Sequence, residues 1–194
     1  MVVERGRWAG GFESGRVAGA GGGSVAFAPV RTRLAAIEDA EAMRVIYNAE
    51  VVGSTVTFDM VPRTPEAQLA WLAEHRGAHP AIVAVDDQGT VVGFASVSPY
   101  RLRPAYSTTV EDSVYVRPDQ RGHGVGALLL GDLVALAAAH GFHSMIARIV
   151  GGHEASIALH RGCGFEVVGV EREVGRKFTR WLDVVVMQRL LSSV

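Results

Sequence analysis

This chain has a single cysteine, Cys163, so no intrachain disulfide framework can hold it together, and a reducing compartment is the expected setting. It has no run approaching 18 uninterrupted apolar residues, which leaves no candidate transmembrane helix. It has no excess of either charge. The 19 Lys and Arg stand against 20 Asp and Glu, a formal net charge of −1, so no global basic field draws it to nucleic acid or to a membrane surface. No internal repeat is visible. A cytoplasmic setting is the expectation.

What is present is enough for one domain. The 194 residues are 48% hydrophobic, which supports a substantial single core. Residues 1–28 stand apart: they include Gly21-Gly22-Gly23, show no helical or strand period, and lack the continuous apolar core of a secretory signal. They read as a flexible tail before a folded domain at 29–194.

Within that domain, strands and helices alternate. A strand is expected at 30–34 and a helix at 38–52, with acids in its first turn and Met43, Ile46 and Tyr47 at helical spacing. Thr64-Pro65 reads as a hydroxyl cap followed by proline at the first helical position. Strands at 82–85 and 91–97 flank Asp86-Asp87-Gln88-Gly89 as a hairpin. A strand at 109–116, a helix at 127–139 ended by Gly141, and a strand at 143–150 follow. A short helix at 155–160 and closing strands at 165–170 and 182–187 complete the chain. Hairpins mixed with βαβ units predict an α/β (α+β) domain of three layers, with a mixed sheet.

The most informative stretch is Thr109 to Ala127, TVEDSVYVRPDQRGHGVGA. A strand bearing Glu111 and Asp112 is broken by Pro118, then passes through Arg121-Gly122-His123-Gly124-Val125-Gly126 into an apolar helix. A strand, a glycine-rich turn and a helix start hold anionic phosphates, because backbone N–H groups are free at the helix N-terminus and glycine permits close approach. A P-loop would require G-x-x-x-x-G-K-S/T, and no lysine follows these glycines. Gly122-x-Gly124-x-x-Ala127 is formally a dinucleotide fingerprint, but the strand at 143–150 ends Ala147-Arg148-Ile149-Val150 without the acid that would hold a ribose. Arg121, Gly124 and Gly126 also fit R-x-x-G-x-G, the pyrophosphate loop of GNAT acyltransferases.

With these residues, the chain resembles the GNAT superfamily, and within it the phosphinothricin and methionine sulfone/sulfoximine N-acetyltransferases. The resemblance spans roughly residues 30–191. Its marks are Tyr47-Asn48, Thr57-Phe58-Asp59, Trp71, Arg103-Pro104-Ala105-Tyr106, and Thr109 through Val116. Further on are Ala155-Ser156-Ile157-Ala158-Leu159-His160, Gly164-Phe165, and Lys177 through Asp183. The resemblance implies the GNAT fold, a mostly antiparallel mixed sheet flanked by helices. It also implies acetyl transfer from acetyl-CoA to the α-amino group of a small amino acid or analogue, with no metal and no covalent enzyme intermediate.

The resemblance implies Glu111 as general base, and His160 as a group that helps deprotonate the amine or relays its proton. A histidine simply packed on a short helix is the alternative for His160, and strand alternation turns Asp112 to the face opposite Glu111. For the co-substrate, it implies the backbone of Val114, Tyr115 and Val116 along the pantetheine arm. The turn Arg121, Gly122, His123, Gly124, Val125, Gly126 and Ala127 would hold the pyrophosphate. His153 stands where relatives carry an asparagine that contacts CoA. For the substrate, it implies Arg101 and Arg103 beside Glu111, since a guanidinium grips a carboxylate in two parallel hydrogen bonds. Lys177 and Trp181 would help close the pocket, with a second subunit in a homodimer. Thr179 stands where relatives often have glycine. A non-catalytic acyl-CoA-binding module and a nicotinamide- or flavin-binding domain are the competing classes, and protein N-terminal acetylation competes within the enzyme class.

Overall fold

The structure, a computed structural model, describes residues 29–191; the tail expected at 1–28 lies outside them. In chain order the elements are β1 (Arg31–Leu34), α1 (Ala40–Gly53), α2 (Pro65–Glu74), β2 (Ala81–Val85), β3 (Val91–Pro99) and β4 (Thr109–Val116). Then come α3 (Val125–Ala139), β5 (Ser144–Val150), α4 (Glu154–Gly162), β6 (Glu166–Lys177) and β7 (Arg180–Leu190). Short 3-10 turns precede α1, β4 and α3.

Local chemistry sets the boundaries. Asp39 accepts both guanidinium ends of Arg33, at 2.6 and 2.8 Å, and the Ala36 N–H at 2.8 Å, which fixes the entry to α1. At α2 the Thr64 hydroxyl accepts the Ala67 N–H at 3.2 Å and Pro65 opens the helix, as the sequence predicts. The β2–β3 hairpin turns on Asp86, whose carboxylate accepts the N–H groups of Gln88 and Thr90 at 3.1 and 2.8 Å.

The strands form one sheet in the order β1-β2-β3-β4-β5-β7-β6. Every neighbouring pair is antiparallel except β4–β5, which is parallel and needs the crossover that α3 supplies. The central strands of the sheet are covered on both faces. Leu129, Leu130 and Leu133 of α3 and Ile157 of α4 pack against Val110, Met145 and Met187 on one side. Met43, Tyr47 and Val51 of α1 and Leu72 of α2 pack against Val83 and Phe94 on the other. Each such aliphatic side chain contributes about 1.5–3 kcal/mol when fully buried. This is the expected three-layer domain.

Two expectations are revised. The helix predicted from residue 127 begins at Val125, because Gly126 is a helical residue rather than part of the turn. A Cβ there would lie 3.2 Å from Leu159 of α4, so glycine lets α3 and α4 approach. The closing strands are also much longer than predicted and meet at Phe178-Thr179, both with positive φ (49° and 62°). That is the backbone of a tight hairpin turn. This ribbon is exposed along most of β6, so its residues carry no burial pattern to read.

Candidate active site

β4 and β5 pair at Thr109↔Ser144, Val110↔Met145 and Glu111↔Ile146, and there the ladder stops. Beyond it β4 runs on to Val116 bonded only to β3, and β5 runs on to Val150 bonded only to β7. The two inner strand edges therefore face one another without pairing. A cavity of about 430 Å³ opens between them, walled by Val114, Tyr115 and Val116 on one side and Arg148 and Ile149 on the other.

The far end of this cavity is the start of α3. Gly124 is its N-cap, in the left-handed region at φ 82°, and no side chain caps the helix. Gly122 also has positive φ, at 77°, and a Cβ at either glycine would meet nothing within 4 Å. Glycine is required there for its backbone, and the outer side of the turn is open. Uncapped first-turn N–H groups beside such a turn form an anion site. Gly122, Gly124, Gly126 and Ala127 all line the cavity, as do Arg121 and His153. The Arg121 guanidinium is held by Glu50 of α1 and by the Val116 carbonyl (3.1 Å). The His153 pKa is lowered by burial and by the Arg121 charge, which favours a neutral ring with one N–H to donate. The Val125 side chain is buried in the core, His123 is exposed, and neither residue lines the cavity. A strand edge leading to an uncapped glycine turn fits the two halves of an acyl-CoA: amide-bearing arm, then pyrophosphate.

Glu111 stands at the fork itself. It is half-buried, and burial raises its pKa above the ordinary carboxylate value. Arg148 and then Arg101 work against that rise, while Asp112 and Glu171 add to it. Asp112 is buried on the opposite face, as alternation requires. There its Oδ2 lies 3.0 Å from His160 Nε2, and His160 Nδ1–H donates to the Ser156 carbonyl at 2.7 Å. Both ring nitrogens of His160 are therefore engaged within the fold.

Arg148 and Glu171 were not anticipated. Arg148 grips Glu171 in two parallel bonds of 2.9 and 2.5 Å, reaching across β7 on the sheet face that carries Glu111. The period-2 signal existed, since Arg148 lies two residues beyond Ile146, the partner of Glu111. Pairing of β5 with β4 had to be known first. Glu50 was likewise hidden, because its role depends on α1 reaching Arg121.

The expected substrate residues are dispersed. Arg101 and Arg103 are exposed in the segment after β3, and Arg101 donates to the Tyr100 hydroxyl at 3.3 Å. Lys177 is buried, and its ammonium donates to the Thr57 carbonyl at 2.8 Å. Beside it the Phe58 ring lies against Gly175, so the loop after α1 is clamped onto β6. Trp181 is exposed, with the Arg176 guanidinium 5.5 Å from its ring. None of these four lines the large cavity. His75 caps α2 and also reaches inward to Ser98 at 3.0 Å.

The sequence and fold are similar to those of known proteins. The model of the Acetyltransferase (GNAT) family matches residues 40–165. The chain is 43% identical over 157 residues to an L-methionine sulfoximine/L-methionine sulfone acetyltransferase of Pseudomonas paraeruginosa, covering 80% of this chain and 91% of that protein. It is 42% identical over 167 residues to a phosphinothricin N-acetyltransferase of Streptomyces coelicolor, covering 84% and 98%. Among solved structures, a GNAT superfamily phosphinothricin acetyltransferase from Sinorhizobium meliloti in complex with AcCoA superposes with a TM-score of 0.80 at 40% identity, over 84% of this chain and 89% of that one. The ribose-binding and flavin readings of the glycine turn fall away: this chain belongs to the GNAT family of acetyltransferases.

Proposed function

We propose that the protein transfers the acetyl group of acetyl-CoA to the α-amino group of a small amino acid or analogue of the phosphinothricin or methionine sulfone/sulfoximine type. One observation carries the mechanism: a half-buried carboxylate, Glu111, is the last β4 residue paired with β5, and the cavity that opens beyond that fork ends on an uncapped helix. The split strands and the glycine turn hold the co-substrate, which supplies an activated thioester. Glu111 accepts a proton from the amine, directly or through a water, as the new C–N bond forms and the C–S bond breaks. Its raised pKa makes it a better base than an exposed carboxylate while the Arg148 charge favours its ionised form.

Arg101 is assigned to the substrate carboxylate: it follows β3 three residues after Ser98, the direct partner of Glu111, and a guanidinium can grip a carboxylate in two parallel bonds. Arg103 supports the same exposed segment. Lys177 braces the pocket wall through Thr57, and Trp181 contributes from the hairpin tip. His160 lines the large cavity from the opposite face, where its bond to Asp112 steadies β4 beneath Glu111. A cytoplasmic homodimer suits this reading. Val168, Val170, Phe178 and Trp181 leave the β6–β7 ribbon with exposed apolar surface that a second subunit would cover.

Turnover of acetyl-CoA against a panel of phosphinothricin, methionine sulfone, methionine sulfoximine, ordinary amino acids and a short peptide tests the assignment. Acetylation confined to the peptide would overturn it in favour of protein N-terminal acetylation.

A further inference from the structure

The sheet face that carries Glu111 holds a second, smaller cavity of about 180 Å³. Its floor follows from strand register. Ser98 of β3 is the direct partner of Glu111, and Ser96 is the partner of Ser113, two residues further along β4. All four side chains thus share one face, with directly opposite Cβ atoms about 5 Å apart. Ser113 and Tyr115, just beyond the fork, border both this space and the large cavity.

The walls are Tyr47, Trp71 and Arg63. The Arg63 guanidinium lies 3.8 Å from the Tyr47 ring centre and 4.9 Å from that of Trp71, which holds it flat between α1 and α2. It forms no ion pair among the described residues, and its one side-chain partner is the Gln68 Oε1, at 3.2 Å. The Gln68 amide behind it is buried, and its Nε2 has no hydrogen-bond partner. The hydroxyls of Ser96 and Ser113 bond to no other group among the described residues. No carboxylate lines the space. A cluster of unused donors around a small cavity, with a fixed guanidinium and no acid to neutralise it, selects a ligand rich in acceptors and poor in donors.

We propose that this cavity receives the oxygen-bearing end of the acceptor's side chain, a tetrahedral phosphinyl or sulfonyl group. Arg63 and the hydroxyls of Ser96 and Ser113 donate to its oxygens, and Arg63 determines specificity. The proposal rests on the amino-acid acetyltransferase reading and names the subsite that distinguishes an oxidised side chain from an unoxidised one. Methionine sulfone and methionine differ only in two sulfonyl oxygens, so the pair isolates the interaction.

The experiment measures kcat and KM for methionine sulfone, phosphinothricin and methionine in the wild type, Arg63→Leu and Ser96→Ala, with acetyl-CoA affinity as the check on folding. The wild type should prefer the sulfone over methionine by about 10-fold or more, since a site built to hydrogen-bond rejects the analogue that lacks the partner. Arg63→Leu should lose about 10-fold or more in kcat/KM for the sulfone and phosphinothricin, chiefly through KM. Methionine should lose less, so the preference collapses. Ser96→Ala should shift the same ratio in the same direction by a smaller factor, and decides the matter if Arg63→Leu does not fold. An unchanged sulfone-to-methionine ratio in Ser96→Ala and in folded Arg63→Leu, or equal losses on all three substrates, overturns the subsite and leaves the acetyltransferase reading intact. A wild type that binds acetyl-CoA yet acetylates none of the three overturns both.

Discussion

His160 Nε2 and Asp112 Oδ2 lie 3.0 Å apart, and both residues are buried behind β4. Burial alone would lower the His160 pKa. The bond to Asp112, its charge and the Ser156 carbonyl outweigh burial, so the ring holds its proton above the ordinary value. A raised histidine pKa stabilises the fold fully below the unfolded value near 6.5, and that contribution is lost as pH rises through the folded value.

Asp112→Asn should therefore lower the Tm more at pH 6 than at pH 9. The His160 titration, followed by NMR, should move to lower pH in the same variant. Equal losses at both pH values, or an unmoved titration, would show that the pair carries no charge-dependent stability.

The uncapped start of α3 makes a separate prediction. Gly124 sits at φ 82° with open space outside it, so a side chain there strains the turn and projects toward the anion. Gly124→Val should raise the acetyl-CoA Kd by about 10-fold or more, the order expected when ordered backbone donors are displaced. Gly131→Ala, in the middle of the same helix and also with nothing nearby, should leave Kd unchanged and slightly stabilise the helix. Calorimetric titration of both variants separates the anion site from general damage to α3.

Most of this fold could be read from the chain because most of its signals are local. Thr64-Pro65 caps α2, Asp86 turns the β2–β3 hairpin, and the T-V-E-D strand places Glu111 and Asp112 on opposite faces, all without knowledge of any distant partner. The glycine turn ahead of an uncapped helix was legible for the same reason. What escaped depends on contacts between remote segments. Gly126 was read as turn because the crowding by Leu159 comes from α4. Arg148 and Glu171 meet only after β7 has been laid between β5 and β6. The Arg63 cavity requires α1 and α2 to be docked on the serine row of β3 and β4. The length of β6 and β7 was invisible because an exposed ribbon imposes no apolar alternation.

Thr179 sits in a backbone conformation that favours glycine. Its φ of 62° is costly for a β-branched residue, by roughly 1–2 kcal/mol. Thr179→Gly should stabilise the protein, offset in part by the greater freedom of glycine when unfolded, for a Tm gain of about 2 °C. Thermal unfolding measures this directly. A loss of stability would mean that the Thr179 side chain contributes contacts worth more than the strain.

Glu111 should carry a stability cost. Because burial raises its folded pKa, stability associated with this group is fully present below the unfolded value and is lost as pH rises through the folded value. Glu111→Gln removes the desolvated charge and should raise Tm at pH 7.5 while leaving it nearly unchanged at pH 4. A lower Tm at pH 7.5 would indicate that pairing with Arg148 and Arg101 dominates over burial.

Enzymatic turnover of the same variant tests the base role most directly. Glutamine keeps the shape of Glu111 and can still hydrogen-bond, but it cannot take the amine proton. At neutral pH, with a confirmed amino-acid substrate, kcat/KM for Glu111→Gln should fall by about 10²- to 10⁴-fold, with acetyl-CoA affinity little changed. The loss should shrink at alkaline pH, where more of the amine arrives already deprotonated. A variant with wild-type kcat/KM at neutral pH would contradict general-base catalysis by Glu111.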